Sequence, residues 1–221
     1  MELAERLDSV RSQVEAAARE AGREPAGITT IVVTKFHPAS LVRELHALGV
    51  RDLGESRHQE AQPKIASLAD LDATWHFIGQ LQSKKARQVR EYARVLHSVD
   101  RDSLVAALGG EEPRDVFIQV NLTDDPERGG VAPAGVDALA DRVAATEGLR
   151  LKGLMAVAPL GAVPRAAFAA VRGLSEGLQR GHPEANLLSM GMSGDYREAI
   201  LEGATHLRIG TAITGIRPPH G

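Results

Sequence analysis

ITTIVVTKFHPASLVRELHALG, residues 28–49, carries two patterns back to back. Residues 28–35 form a β-branched, apolar run that ends in a lysine, as in a strand covered on both faces. Residues 38–49 are amphipathic at helical spacing and stop at Gly49. One strand and one helix joined by a short turn make a βα unit, and the rest of the chain repeats it.

Further short apolar runs follow: VRDLGES (50–56), WHFIG (75–79), RVLHSV (94–99), DVFIQVN (115–121), LKGLMAV (151–157), LLSMGMS (187–193) and HLRIGT (206–211). Amphipathic stretches such as GVDALADRVAATEG (135–148) lie between them, while GGEEPRD (109–115) and NLTDDPERGG (121–130) read as loops. Eight such units predict an α/β protein, a single parallel (β/α)8 TIM barrel over residues 28–215. Leu3, Leu7, Val10, Val14 and Ala17/Ala18 add a helix over residues 1–22, ending at Gly22. A doubly wound open sheet is the rival, because periodicity does not show that a sheet closes. Units of similar length filling the chain favour the barrel, although 221 residues is short against the roughly 250 typical of the fold.

Composition narrows the function. A net charge of −3 gives no electrostatic reason to expect nucleic acid or an anionic membrane as partner. The one basic cluster, SKKARQVR (83–90), reads as a solvated helix face. With no cysteine, disulfides, thiolate chemistry and Cys-type zinc sites are excluded. The charged N-terminus lacks an apolar signal core and no apolar run is of spanning length, so a soluble, cytoplasmic protein is expected.

Chemistry in a parallel barrel collects at the C-terminal strand ends. Of the five lysines, only Lys35 is expected there; Lys64 falls on a helix, Lys84 and Lys85 follow the third strand, and Lys152 lies toward the opposite rim. A lysine leaving an apolar strand is partly desolvated, which supplies the neutral amine that attacks carbonyls. Snorkelling, or pairing with Glu55, is the alternative. The loops after strands seven and eight, SMGMSGDYREAI (189–200) and RIGTAITG (208–215), place Gly and hydroxyl residues before helical patterns, as phosphate sites do. Ser193 or Asp195 as an ordinary helix cap explains the first loop equally well. An amine facing two such loops points to a ligand bearing an aldehyde and a phosphate, pyridoxal 5′-phosphate (PLP). Arg208 would face its ring nitrogen as a pure donor, unless it forms a rim salt bridge with Asp195 or Glu202. His76 lacks a second ligand at metal spacing and reads as a core or pocket histidine.

VVTKFHP, LGESRHQEAQPK, WHFIGQLQSKKAR, HSVDR, VFIQVNLTDDPERGG, LKGLMAVAP and LSMGMSGDYREAILEGATHLRIGTAITG together resemble the PLP homeostasis proteins, single-barrel relatives of the alanine racemase N-terminal domain (PLP fold type III). The resemblance covers nearly the whole chain. It implies that Lys35 holds PLP as an aldimine, that Ser193, Gly210 and Thr211 lie in the phosphate-binding stretches with Gly191 shaping the turn, and that Ser189 is a further cofactor-binding residue. It further implies that Arg208 faces the pyridine nitrogen and that Ser56, His76, Asn121 and Met155 line the pocket.

Where the family commonly has Gly-Glu-Asn and a tyrosine two residues later, this chain has Gly54-Glu55-Ser56 and His58. Lys84 replaces a common asparagine, and Arg128-Gly129 replaces lysine and serine. The implied role is carrying or buffering PLP, with little or no catalysis and with PLP-dependent apoenzymes or amino acids as further partners. A weak racemase or lyase is the alternative. The resemblance also implies a monomer. The second, tyrosine-bearing domain of alanine racemase is not expected beyond GIRPPHG, and Tyr92 and Tyr196 lie in helical stretches.

Overall fold

The computed structural model describes residues 2–125 and 128–216. Pro126 and Glu127, within the loop read at 121–130, and residues 217–221 of the closing GIRPPHG lie outside them. The strands are β1 (Thr29–Val33), β2 (Asp52–Glu55), β3 (Thr74–Phe77), β4 (Val95–Val99), β5 (Arg114–Gln119), β6 (Leu149–Met155), β7 (Leu187–Ser189) and β8 (His206–Ile209). Helix α1 (Leu3–Glu20) precedes them; α2 (Ala39–Ala47), α3 (His58–Ala66), α4 (Ala86–Tyr92), α5 (Asp102–Leu108), α6 (Val136–Ala144), α7 (Pro164–Leu178), α8 (Tyr196–Leu201) and α9 (Thr211–Thr214) follow the strands in turn.

Every neighbouring pair is parallel, and β8 pairs with β1 from Thr29↔His206 to Val32↔Ile209. The sheet is therefore a closed barrel, and the open doubly wound alternative is set aside. No helix among the described residues is long and apolar enough to cross a membrane.

Alternation along each strand sorts side chains into two layers. Val32, Leu53, Phe77, Leu96, Ile118, Leu154 and Leu207 face outward and join one core with the helices. Inside, Val95, Phe117 and Met155 form only a small separate apolar cluster. The remaining interior is unusually polar for a fold whose barrels are mostly filled by branched aliphatics: His76, His97, Ser189 and Arg208 are all buried there. Gly153 permits the barrel to close between β6 and β7. Its φ is 147°, and a Cβ would stand 1.8 Å from the Leu187 carbonyl oxygen.

Helix α1 covers the β8 side of the barrel. It buries Leu7, Val10, Val14, Ala17 and Ala18, Arg6 Nε donates to the Ile213 carbonyl (2.7 Å), and Tyr196 Oη donates to Gln13 Oε1 (2.7 Å).

Candidate functional site

A cavity of about 520 Å³ opens at the C-terminal ends of the strands. Lys35 and Ser56 line one side, Ser193, Gly210 and Thr211 another, and Met155 and Arg208 also line it. Val33, Ile78, Val157 and Met192 supply its apolar wall. Among the described residues its polar side chains are two cations and three hydroxyls, with no carboxylate. Such a lining favours an anion.

Lys35 does not lie on the strand. The β1 ladder stops at Val33, Thr34 N–H donates to the Gly54 carbonyl (2.9 Å), and the chain turns so that His37 N–H returns to the Thr34 carbonyl (3.1 Å). Phe36 holds φ at 68°, the left-handed region that L-residues seldom adopt. This turn leaves Lys35 exposed at the cavity, which corrects the expected desolvation: the apolar run had suggested a longer strand than the hydrogen bonds make. Pairing with Glu55 falls to another lysine. Lys64 reaches up from α3 to Glu55 Oε1 (2.7 Å) and to the Thr34 carbonyl (2.9 Å). Thr34 Oγ1 donates to the same carboxylate oxygen (2.8 Å). The ion pair is buried and fixes the residue preceding Lys35.

Across the cavity, Ser193 Oγ accepts N–H bonds from Gly210 and Ala212, each at 3.3 Å. That ties the β7 loop to the start of α9. Gly191, at φ 93°, turns this loop so tightly that a Cβ would approach Ala199 Cβ to 2.7 Å. Asp195 stands at the N-cap position of α8 but makes no side-chain capping bond. Its Oδ1 accepts the Met192 N–H (2.6 Å), so Asp195 and Ser193 both brace the loop and neither caps the helix through its side chain.

Arg208 forms neither of the considered salt bridges. Its two terminal nitrogens donate to Ser189 Oγ (2.6 Å) and the Ala156 carbonyl (2.9 Å), and Glu202 is held by Arg165 and Arg172, each at 2.8 Å. Burial lowers the Arg208 pKa to about 10, with Asp195 acting in the opposite sense, so the guanidinium stays charged at neutral pH.

Three expected residues lie elsewhere. His76 is inside the barrel, bonded through Nε2 to Asp52 Oδ1 (3.0 Å) and through Nδ1 to His97 Nε2 (3.0 Å). Ser189 is fully buried beneath Arg208 and contacts His97 Nδ1 at 2.8 Å. Asn121 lines a neighbouring cavity of about 300 Å³, where its side chain closes a local turn with Thr123 and Asp125. No group of three or more His, Asp or Glu placed to hold a metal is found among the described residues.

Sequence reasoning missed Val157, Met192, Gly194 and Lys64. Val157 was within reach, since it lies two residues beyond Met155 along the same strand run.

The profile of the family described as alanine racemase, N-terminal domain, matches residues 6–218. The chain is similar to the pyridoxal phosphate homeostasis protein of Pseudomonas aeruginosa, 44% identical with 97% of this chain and 96% of that one covered. It is similar also to the PipY protein of Synechococcus elongatus, solved without PLP (TM-score 0.86) and with PLP bound (TM-score 0.82). That relative is 39% identical, with 97% of this chain and 100% of that one covered. Alanine racemase from Corynebacterium glutamicum, 16% identical with a TM-score of 0.71 over 97% of this chain and 63% of that one, shares the fold.

Proposed function

The chain belongs to the alanine racemase N-terminal domain family, among the pyridoxal phosphate homeostasis proteins, and from that premise we propose that it binds PLP covalently through Lys35 and carries or buffers it, with little or no catalysis. The observation that carries this reading is the cavity itself, whose described residues include no carboxylate and place a primary amine on one side and hydroxyls beside a glycine-rich junction on another. The donor set fits a phosphorylated aldehyde: among the described residues two cations and three hydroxyls face no acidic side chain, and at Gly194 an added Cβ would meet nothing within 4 Å.

Bound PLP supplies an aldehyde that condenses with amines. Around it, each residue has a separate task. Lys35, exposed at the mouth, would hold the cofactor through its amine. Ser193, Gly210 and Thr211 would take the phosphate, with Gly191 keeping their loop in place. Arg208, able only to donate, would keep the ring nitrogen unprotonated and so limit how well the ring accepts electrons. Met155 and Ser56 would border the ring.

The engagement of both tyrosines supports the reading of little catalysis. Two-base racemisation needs a second acid–base group on the opposite face of the substrate. Tyr196 Oη is engaged by Gln13 on α1, and Tyr92 Oη lies 3.3 Å from His58 Nδ1.

Purified protein incubated with PLP and desalted is expected to retain visible cofactor absorbance, and Lys35→Ala to lose it. A wild-type protein that stays colourless would remove the reading. Loss of the α-deuteron from labelled D- or L-amino acids, followed by NMR, would instead favour the racemase or lyase alternative.

A further inference from the structure

Five side chains form a continuous hydrogen-bonded line through the barrel: Asp52, His76, His97, Ser189 and Arg208. Asp52 is the first residue of β2 and lies at the rim opposite the cavity, its side chain 35% exposed. Arg208 is at the other end, lining the cavity. The three residues between them are buried.

The chemistry of the two ends gives the line a direction. A guanidinium only donates and a carboxylate only accepts. Arg208 donates to Ser189 Oγ; the Ser189 hydroxyl then donates to His97 Nδ1, His97 Nε2–H to His76 Nδ1, and His76 Nε2–H to Asp52. This is the arrangement in which every contact carries one proton and no buried donor is orphaned. Burial, then His76, Arg208 and His206, hold His97 well below its usual pKa, so it is the neutral ring this order requires. With its proton committed to His97, Ser189 presents a lone pair to Arg208, while the Ala156 carbonyl fixes the other terminal nitrogen.

We propose that Asp52 is a positioning residue, which acts through the His76–His97–Ser189 relay to lock the Arg208 guanidinium in the orientation it presents to the cavity. The orientation's value for PLP rests on the function proposed above; the relay itself does not. Removing the acceptor at position 52 strands the His76 Nε2 proton. If both rings shift their protons to Nδ1, His97 donates to Ser189, whose own hydroxyl proton then lacks a partner. Either way a buried group is left unsatisfied, at a cost of about one hydrogen bond.

Two-bond ¹H–¹⁵N spectra of the cofactor-free protein test the relay, and PLP titration tests its consequence. Wild type is expected to show both His76 and His97 protonated at Nε2. Asp52→Asn, whose amide oxygen still accepts, is expected to keep both tautomers and the wild-type cofactor spectrum. Asp52→Leu, which excludes a replacing water, is expected to change the tautomers, shift the absorption of bound PLP and weaken its binding about fivefold, the equivalent of one hydrogen bond. Nδ1 protons in wild type overturn the proposal without need of any variant. So does Asp52→Leu with unchanged tautomers, or with changed tautomers but unchanged PLP affinity and spectrum. Tautomers as expected in a wild-type protein that does not bind PLP would support the relay and sink the function instead.

Discussion

Lys64 Nζ lies 2.7 Å from Glu55 Oε1, in a buried ion pair directly beneath the turn that presents Lys35. The other carboxylate oxygen, Glu55 Oε2, is buried with no hydrogen-bond partner among the described residues, so the pair has little to spare. Lys64→Met leaves a buried carboxylate uncompensated and is expected to destabilise the protein by about 3–5 kcal/mol. Pairing it with Glu55→Gln is expected to restore most of that loss. Urea unfolding of the single and double variants checks both.

The turn itself holds strain at Phe36, whose φ is 68°. Glycine adopts this conformation freely and alanine does not. Phe36→Gly is therefore expected to exceed Phe36→Ala in stability by about 1 kcal/mol, reversing the usual order of the two residues. Thermal melts of the two variants, which lose the same ring, isolate the backbone effect.

Gly191→Ala places a methyl 2.7 Å from Ala199 Cβ and 3.0 Å from Tyr196 Cα, at a φ of 93°. Overpacking and strain add here, so a destabilisation of about 2–3 kcal/mol is expected. Because the same turn carries Ser193, PLP affinity is expected to fall even at temperatures where the variant remains folded. Melting curves and a PLP titration on one preparation separate the two effects.

The histidines inside the barrel set an acid limit. Burial, then the neighbouring His76, pulls His206 down to about 4, and His97 is depressed as well. An unfolded-chain histidine takes up its proton near 6.5, so between about pH 6.5 and 4 the unfolded state binds more protons than the folded one. Stability from this source is fully present above pH 6.5 and is lost as the pH falls through that window. Urea midpoints measured from pH 7 to pH 4 are expected to decline, and His206→Phe, which can still pack against Phe117, to decline less steeply.

The barrel was legible because each unit carries its own pattern: the switch from a β-branched run to helical spacing is local, and eight repeats leave few topologies. The adjacency of Gly191, Ser193, Gly210 and Thr211 was legible for a similar reason, since they sit in two loops that the strand order makes neighbours. What could not be read depends on register and reach. Lys64 was assigned correctly to a helix, but nothing local shows that its side chain extends to Thr34, thirty residues away. His76 and His97 were visible as strand residues. Only the pairing of β3 with β4, and the interior faces those strands share, bring the rings together and draw His76 away from the cavity. The end of β1 was overestimated because the β-branched run continues to Thr34, one residue beyond the strand's end at Val33.

The proposed PLP-binding role rests most directly on one covalent bond. Wild-type protein is incubated with PLP, reduced with borohydride, digested and mapped by mass spectrometry. The mass of one reduced pyridoxyl phosphate group is expected on the peptide containing Lys35, with Lys64, Lys84, Lys85 and Lys152 unmodified. Modification spread over the other lysines, or a Lys35 peptide that stays unlabelled, would contradict it.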